Sequence, residues 1–152
     1  MATHAEKRVL PYSPEQVFDL VADIERYPEF LPWCRAARIT RREGDVLHAD
    51  LVIGFKVFRE RFTSKVTLCK PDAVDVQYVT GPMRYLNNHW RFVPHERGCL
   101  IDFYIDFEFR SAIVQRVIGV LFNEAARRMV SAFEARARQL YGPPGEVSDA
   151  DA

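Results

Sequence analysis

Cysteine is scarce in this 152-residue chain: three residues, widely spaced at Cys34, Cys69 and Cys99. No CxxC pair occurs, which excludes the spacing of a zinc ribbon or a thioredoxin-like motif. Free thiols of odd number fit a reducing compartment. Glycine is equally sparse, with seven residues scattered singly. There is thus no Gly-rich phosphate loop, and no nucleotide cofactor is indicated. Net charge is missing too, with 21 basic residues against 21 acidic ones. A generic nucleic-acid binder would be basic overall, so DNA is not an expected partner. The opening MATHAEKRVLPYSPEQ has no apolar signal core. No apolar run approaches the ~20 residues that span a bilayer. These absences lead to the expectation of a cytoplasmic protein, or one housed inside an organelle after import. The histidines His4, His48, His89 and His95 form no HExxH pair, and there is no GxSxG elbow. Neither a metal site nor a catalytic nucleophile is expected.

What the chain does have is apolar bulk. Hydrophobic residues make up 48% and aromatics 12%, with 11 phenylalanines. A chain of this length can bury roughly 68–70% of its unfolded surface, so one domain with an ordinary core is expected. Charge is uneven along it. Residues 35–65 and 110–141 each carry +4, and the tail from 142 carries −3.

Periodicity divides the chain. Residues 3–11 read as a short strand. Ser13-Pro14-Glu15-Gln16 is a helix start: Ser13 caps, Pro14 suits the first helical position, and Gln16 closes a capping box. A second short helix is expected from Asp23, and Pro28 and Pro32 keep the stretch to Cys34 from being one regular helix. From Arg35 to Arg110 the period is two. The clearest case sets Ile101, Phe103, Ile105, Phe107 and Phe109 against Asp102, Tyr104, Asp106 and Glu108. One apolar face and one polar face mean an antiparallel sheet covered on one side. Turn signals at Glu43-Gly44-Asp45, Gly54, Lys70-Pro71-Asp72, Gly81-Pro82 and Glu96-Arg97-Gly98 divide it into about six strands. Ser111 caps a final long helix. Its apolar side is read as Val114, Val117, Ile118, Leu121, Ala125, Met129, Phe133 and Leu140, with Arg116, Asn123, Arg127, Glu134 and Arg138 opposite. Gly142-Pro143-Pro144 stops it. The class is α+β, a curved antiparallel sheet of about seven strands wrapped around a long C-terminal helix. The domain spans 1–142, and 143–152 is an acidic tail expected to be disordered.

A twisted sheet follows a straight helix closely only along part of its length. Side chains must fill the remaining space, or it stays hollow. By parity Phe58, Phe62, Tyr78, Trp90, Phe103 and Phe107 face inward from the sheet. Leu121, Met129 and Phe133 face them from the helix. The pattern fits a solid core and a ligand cavity equally. Among polar residues, Glu60 and Ser64 share the parity of Phe62, and Asn88 shares that of Trp90. An inward carboxylate at Glu60 would suit acid–base work, as in a cyclase or dehydratase. An arginine partner or a place at the sheet rim is the plainer reading. The surface arginines Arg41, Arg42, Arg59, Arg61, Arg116, Arg127 and Arg138 read as solvated, with anionic lipid or ribosomal RNA as the sharper alternative.

Two motifs carry a resemblance. Tyr27-Pro28-Glu29-Phe30-Leu31-Pro32-Trp33-Cys34 and Gly81-Pro82-Met83-Arg84-Tyr85-Leu86-Asn87-Asn88-His89-Trp90-Arg91-Phe92 together resemble the coenzyme Q-binding branch of the START-like, polyketide-cyclase-like helix-grip proteins. Phe58-Arg59-Glu60-Arg61-Phe62-Thr63-Ser64 fits the same pattern. The likeness covers about residues 4–141. Met83 stands where many members carry an aromatic residue. The resemblance implies a START-like helix-grip fold whose cavity, between sheet and helix, binds ubiquinone or a related isoprenoid lipid. It implies a carrier or chaperone supporting respiration rather than an enzyme, with the quinone as ligand and no other cofactor. A related branch acts as a ribosome-association toxin on the large ribosomal subunit, which makes that subunit a second expected partner. The expected cavity residues add Phe30, Leu31, Trp33, Met83 and Leu86 to those named by parity, with Glu60, Ser64 and Asn88 as polar anchors. Phe30 and Trp33 would form an entry lip in transient contact with an inner-membrane surface, or with the matrix side in a mitochondrion.

Overall fold

Alternating residues become strands, and the strands follow one another as a meander. The computed structural model describes residues 2–55 and 58–143, without the side chains at 2, 55, 58, 121 and 123. The expected disordered tail at 144–152 lies outside the described residues, as do the side chains of Phe58 and Leu121. The order is β1 (Ala2–Leu10), α1 (Pro14–Ala22), a 3-10 helix (Ile24–Glu29), β2 (Cys34–Glu43), β3 (Val46–Phe55), β4 (Phe58–Cys69), β5 (Ala73–Thr80), β6 (Met83–His95), β7 (Gly98–Phe109) and α2 (Ala112–Tyr141). All neighbours are antiparallel, in one seven-stranded sheet ordered β1-β7-β6-β5-β4-β3-β2.

The helix ends follow their local chemistry. Ser13 Oγ accepts from Gln16 N at 3.1 Å, and Gln16 Oε1 accepts from Ser13 N at 3.0 Å. Each satisfies a backbone donor that the first turn leaves open. Ser111 Oγ accepts from Val114 N at 3.2 Å at the start of α2. At its end Gly142 takes φ 82°, a left-handed value that a side chain would oppose. Tyr12 Oη donates to Gly142 O at 2.7 Å, and Tyr141 Oη donates to Gln16 O at 3.0 Å. The C-terminal end of α2 is thereby tied to α1.

Two sequence expectations are corrected. Gly54 lies inside β3 rather than at a turn, because Arg35 crosses it: a Cβ there would stand 2.9 Å from Arg35 Nε. The inward face of α2 is also rotated from the expected one. Val117 and Leu140 are exposed, while Phe122, Ala126, Val130 and Ala137 are buried. Glu134, assigned to the outer face, is half-buried and accepts from Arg8 Nη1 at 3.3 Å. Apolar residues occur on nearly every side of the first half of this helix, so its sequence marks no single stripe.

The interior has two ends. At one, α1 inserts Val17, Phe18, Leu20 and Val21 between the sheet and the second half of α2. There Trp90 meets Phe103 at 4.6 Å and Phe133 at 5.1 Å, centroid to centroid. At the other end α1 is absent. Only the first half of α2 covers the sheet, through a smaller cluster of Phe62, Met83, Leu86, Phe107, Phe109, Phe122 and Ala126.

Candidate functional site: a hollow under the first half of the long helix

Strand pairing builds the floor. Val66, Val76, Asn88 and Ile105 are successive partners across β4, β5, β6 and β7, so their side chains share one face. All four line a cavity of about 560 Å³. Leu51 and Phe62, partners across β3 and β4, form a side wall. Ile118, Phe122, Ala126 and Met129 form the roof. These helix positions recur at three- and four-residue steps, which keeps them on one face.

Pairing of β5 with β6 stops at Gln77 and Asn87. Beyond it, Tyr78 Oη accepts from Met83 N at 3.0 Å in place of a ladder bond. Gly81 closes the turn with φ 147°, and a Cβ there would stand 2.7 Å from Phe62 Cβ. The turn is thus seated on a residue of the cavity wall.

The opening lies between two exposed edges. Pro32 and Arg35 belong to the lip that leads into β2; Glu124 and Arg128 belong to α2. Arg128 Nε donates to Glu124 Oε1 at 3.1 Å. Outside the lip is a shallow cleft of about 320 Å³, so Leu31, Pro32, Cys34 and Arg35 have empty space on both sides. The lip is held to α2 by Tyr27 and Phe30, whose rings meet Phe133 at 5.4 and 5.1 Å, and by an ion pair. Arg136 Nη2 donates to Glu29 Oε1 at 2.6 Å, and its guanidinium lies 5.3 Å from the Phe30 ring centre. Glu29's carboxyl is held below the ordinary range by its bonds from Arg26 first and Arg136 second. Burial pushes the Cys34 thiol up to about 11, so it is a neutral thiol at physiological pH.

Most expected wall residues converge here. Leu31, Trp33, Phe62, Met83, Leu86, Phe107, Met129, Ser64 and Asn88 all line the hollow. Four do not. Trp90 and Phe103 are part of the packed end, because α1 and Phe133 fill the space before them. Phe30 is turned onto Phe133 at 5.1 Å and under Arg136, outside the cavity lining. Tyr78 is spent on Met83 N. Glu60 pairs across with Ile53 at the rim and is half-buried, outside the lining. Residues not assigned to the site from the sequence include Phe122, Ala126 and Arg35, and Ile118, which was placed only on the inner side of the helix. The four-residue row 118–122–126 was the available signal for Ile118, Phe122 and Ala126.

The polar contents of the wall are few. Asn88 Nδ2 donates to Tyr104 O at 2.9 Å, and its Oδ1 accepts from Trp90 Nε1 at 3.1 Å. That uses half of its capacity. Ser64 is fully buried, and its Oγ has no hydrogen-bond partner among the described residues. An unsatisfied buried hydroxyl costs roughly 1–3 kcal/mol, so a ligand oxygen there would relieve it. Among the described residues, no three His, Cys, Asp or Glu groups gather as a metal site would require.

Residues 10–134 match the family described as polyketide cyclase / dehydrase and lipid transport. The chain is 38% identical to a ribosome association toxin of Rickettsia prowazekii, over 92% of this chain and 99% of that one. It is 34% identical to a mitochondrial coenzyme Q-binding protein homolog of Xenopus laevis, over 91% of this chain and 59% of that one. The solution structure of an 18 kDa protein from Caulobacter crescentus superposes with a TM-score of 0.77 at 38% identity, covering 94% of this chain and all of that one.

Proposed function

The chain belongs to the polyketide cyclase / dehydrase and lipid transport family, and from that premise we propose that it is a carrier for ubiquinone or a related isoprenoid lipid. The observation that carries this reading is the cavity. Its volume of about 560 Å³ is in the usual range for small-molecule sites, and its wall is mostly aliphatic and aromatic. An isoprenoid tail gains about 0.8 kcal/mol for each methylene removed from water. Ten of them supply roughly 8 kcal/mol before the cost of association. The quinone ring would then place a carbonyl oxygen against the Ser64 hydroxyl, with the spare amide hydrogen of Asn88 as a second donor. The naming of the Xenopus relative as a coenzyme Q-binding protein supports the same class of ligand.

This is binding rather than catalysis. Glu60, the candidate acid or base, is outside the cavity lining, and Glu124 at the opening is bonded to Arg127 and Arg128. A carrier of this kind works beside an inner membrane in support of respiration. The test is organic extraction of the purified protein followed by mass spectrometry. A quinone in near-stoichiometric amount is expected. Repeated absence of any lipid, with no saturable quinone binding, overturns the reading.

One further reading has its own support, the name of the Rickettsia relative. The edge strand β2 exposes Arg35, Arg38, Arg41 and Arg42, a basic border suited to RNA phosphates of a large ribosomal subunit. Sedimentation with large subunits at two salt concentrations tests it. Co-sedimentation lost at high salt favours this reading over the first.

A further inference from the structure

The outer face of the first half of α2 is apolar where a surface helix should be polar. Ile113, Val117 and Val120 are 76%, 53% and 80% exposed. Their spacing, four and then three residues, places them on one stripe of the helix. The stripe lies behind the roof: Ile118 and Phe122, on the opposite face of the same turns, line the cavity. Val117, Glu124 and Arg128 follow at seven- and four-residue steps, so they share one flank. The stripe therefore continues along α2 to the mouth of the cavity, about 10 Å away at 1.5 Å per residue.

Its surroundings are basic. Arg110 and Arg116 are exposed with no ion-pair partner among the described residues. Arg127 and Arg128 follow about two turns beyond Val120 and share the acidic neighbour Glu124. Arg35 and Arg128 both border the cavity. Three kinds of occupant differ in what they offer this surface. RNA would take the arginines but offers nothing to exposed aliphatic side chains. A second copy of the chain would bring two cationic borders together, which is repulsive. A bilayer with anionic headgroups takes both, aliphatic side chains at the acyl boundary and arginines at the phosphates.

We propose that Ile113, Val117 and Val120, bordered by Arg110 and Arg116, dock the protein on an anionic membrane with the cavity mouth turned toward the lipid. The inference rests on the carrier reading for what passes through the mouth, but the docking is measured without any cargo. The probe is a vesicle of phosphatidylcholine, with or without phosphatidylglycerol. The wild-type protein sediments with the mixed vesicles, more weakly as salt rises, and little with phosphatidylcholine alone. The double variant Val117→Asp/Val120→Asp loses vesicle affinity at least about tenfold. Arg116→Glu loses it by a smaller factor that vanishes at high salt. Both keep the wild-type circular dichroism and the wild-type quinone content, since none of these side chains lines the cavity.

The proposal is overturned if wild-type protein ignores mixed vesicles, or if the double variant binds them as well as wild type does. It is overturned equally if the double variant loses large-subunit binding, or dissolves a dimer, while vesicle binding is absent. Docking without any recoverable quinone sinks the carrier reading alone. Quinone retention without docking sinks this proposal alone.

Discussion

The two ends of the interior are made of the same kinds of residue and do opposite things. Phe103 and Phe107 lie four residues apart on β7, face the same side, and differ in what stands opposite. Phe103 meets Trp90 in the packed end and is fully buried. Phe107 meets Phe122 at 4.8 Å and borders the hollow. The difference comes from α1, nine residues long, which reaches only one end of the sheet. Where α1 adds a third layer the interior is packed; where α2 alone faces the twisted sheet a cavity is left. Stability is therefore concentrated at one end and binding at the other.

The largest effect expected is in the packed end. Phe103→Ala should cost about 3–5 kcal/mol, because α1 and Phe133 hold the hole open. Phe62→Ala, at the hollow, should cost about 1–2 kcal/mol, because part of that ring already faces empty space. Urea unfolding of the two variants measures both; equal losses would break the comparison. Adding bulk reverses the sensitivity. Ala137→Leu, among fully buried neighbours, should destabilise by about 1–3 kcal/mol. Ala126→Leu, in the roof, should leave stability nearly unchanged and weaken lipid binding.

Two smaller effects sharpen the contrast. Burial pushes the thiols of Cys34 and Cys99 alike up to about 11. Only Cys34 lines the cavity. A small apolar maleimide should label exposed Cys69 first, Cys34 more slowly and Cys99 last. Bound lipid should slow Cys34 alone, as mass spectrometry of peptides would report. The smallest effect concerns the lip. Glu29's carboxyl has a folded-state pKa below its ordinary 4.5, so its bond to Arg136 contributes fully above that value. The contribution is lost as pH falls through the depressed folded value. Amide exchange at Leu31 and Cys34 should quicken only in that acid window. In Glu29→Gln it should be quick already at neutral pH.

Much of the fold was legible because period two and period 3.6 are local signals. Strand parity placed Phe62, Ser64, Leu86 and Phe107 on the inner face, and the capping box at Ser13 marked the start of α1. The face of α2 was misread at Val117 and Leu140, which are exposed, because apolar residues occur on nearly every side of its first half. The cavity itself has no local signal. Trp90 and Leu86 have the same parity on β6, yet one is packed against Phe133 and the other borders the hollow. That outcome is set by α1, far away in the chain. Phe30 was assigned to the entrance on its motif, and Arg136, which turns it aside, comes from a distant part of α2.

The central claim is that the hollow end admits a quinone. Trp33 lines it, and the other tryptophan, Trp90, is in the packed end. The most direct measurement is quenching of tryptophan fluorescence on titration with a quinone, in wild type and in Ala126→Phe. Saturable quenching in wild type, absent in the filled variant with circular dichroism unchanged, is the predicted result. No saturation in wild type, or identical curves for the two proteins, would contradict it.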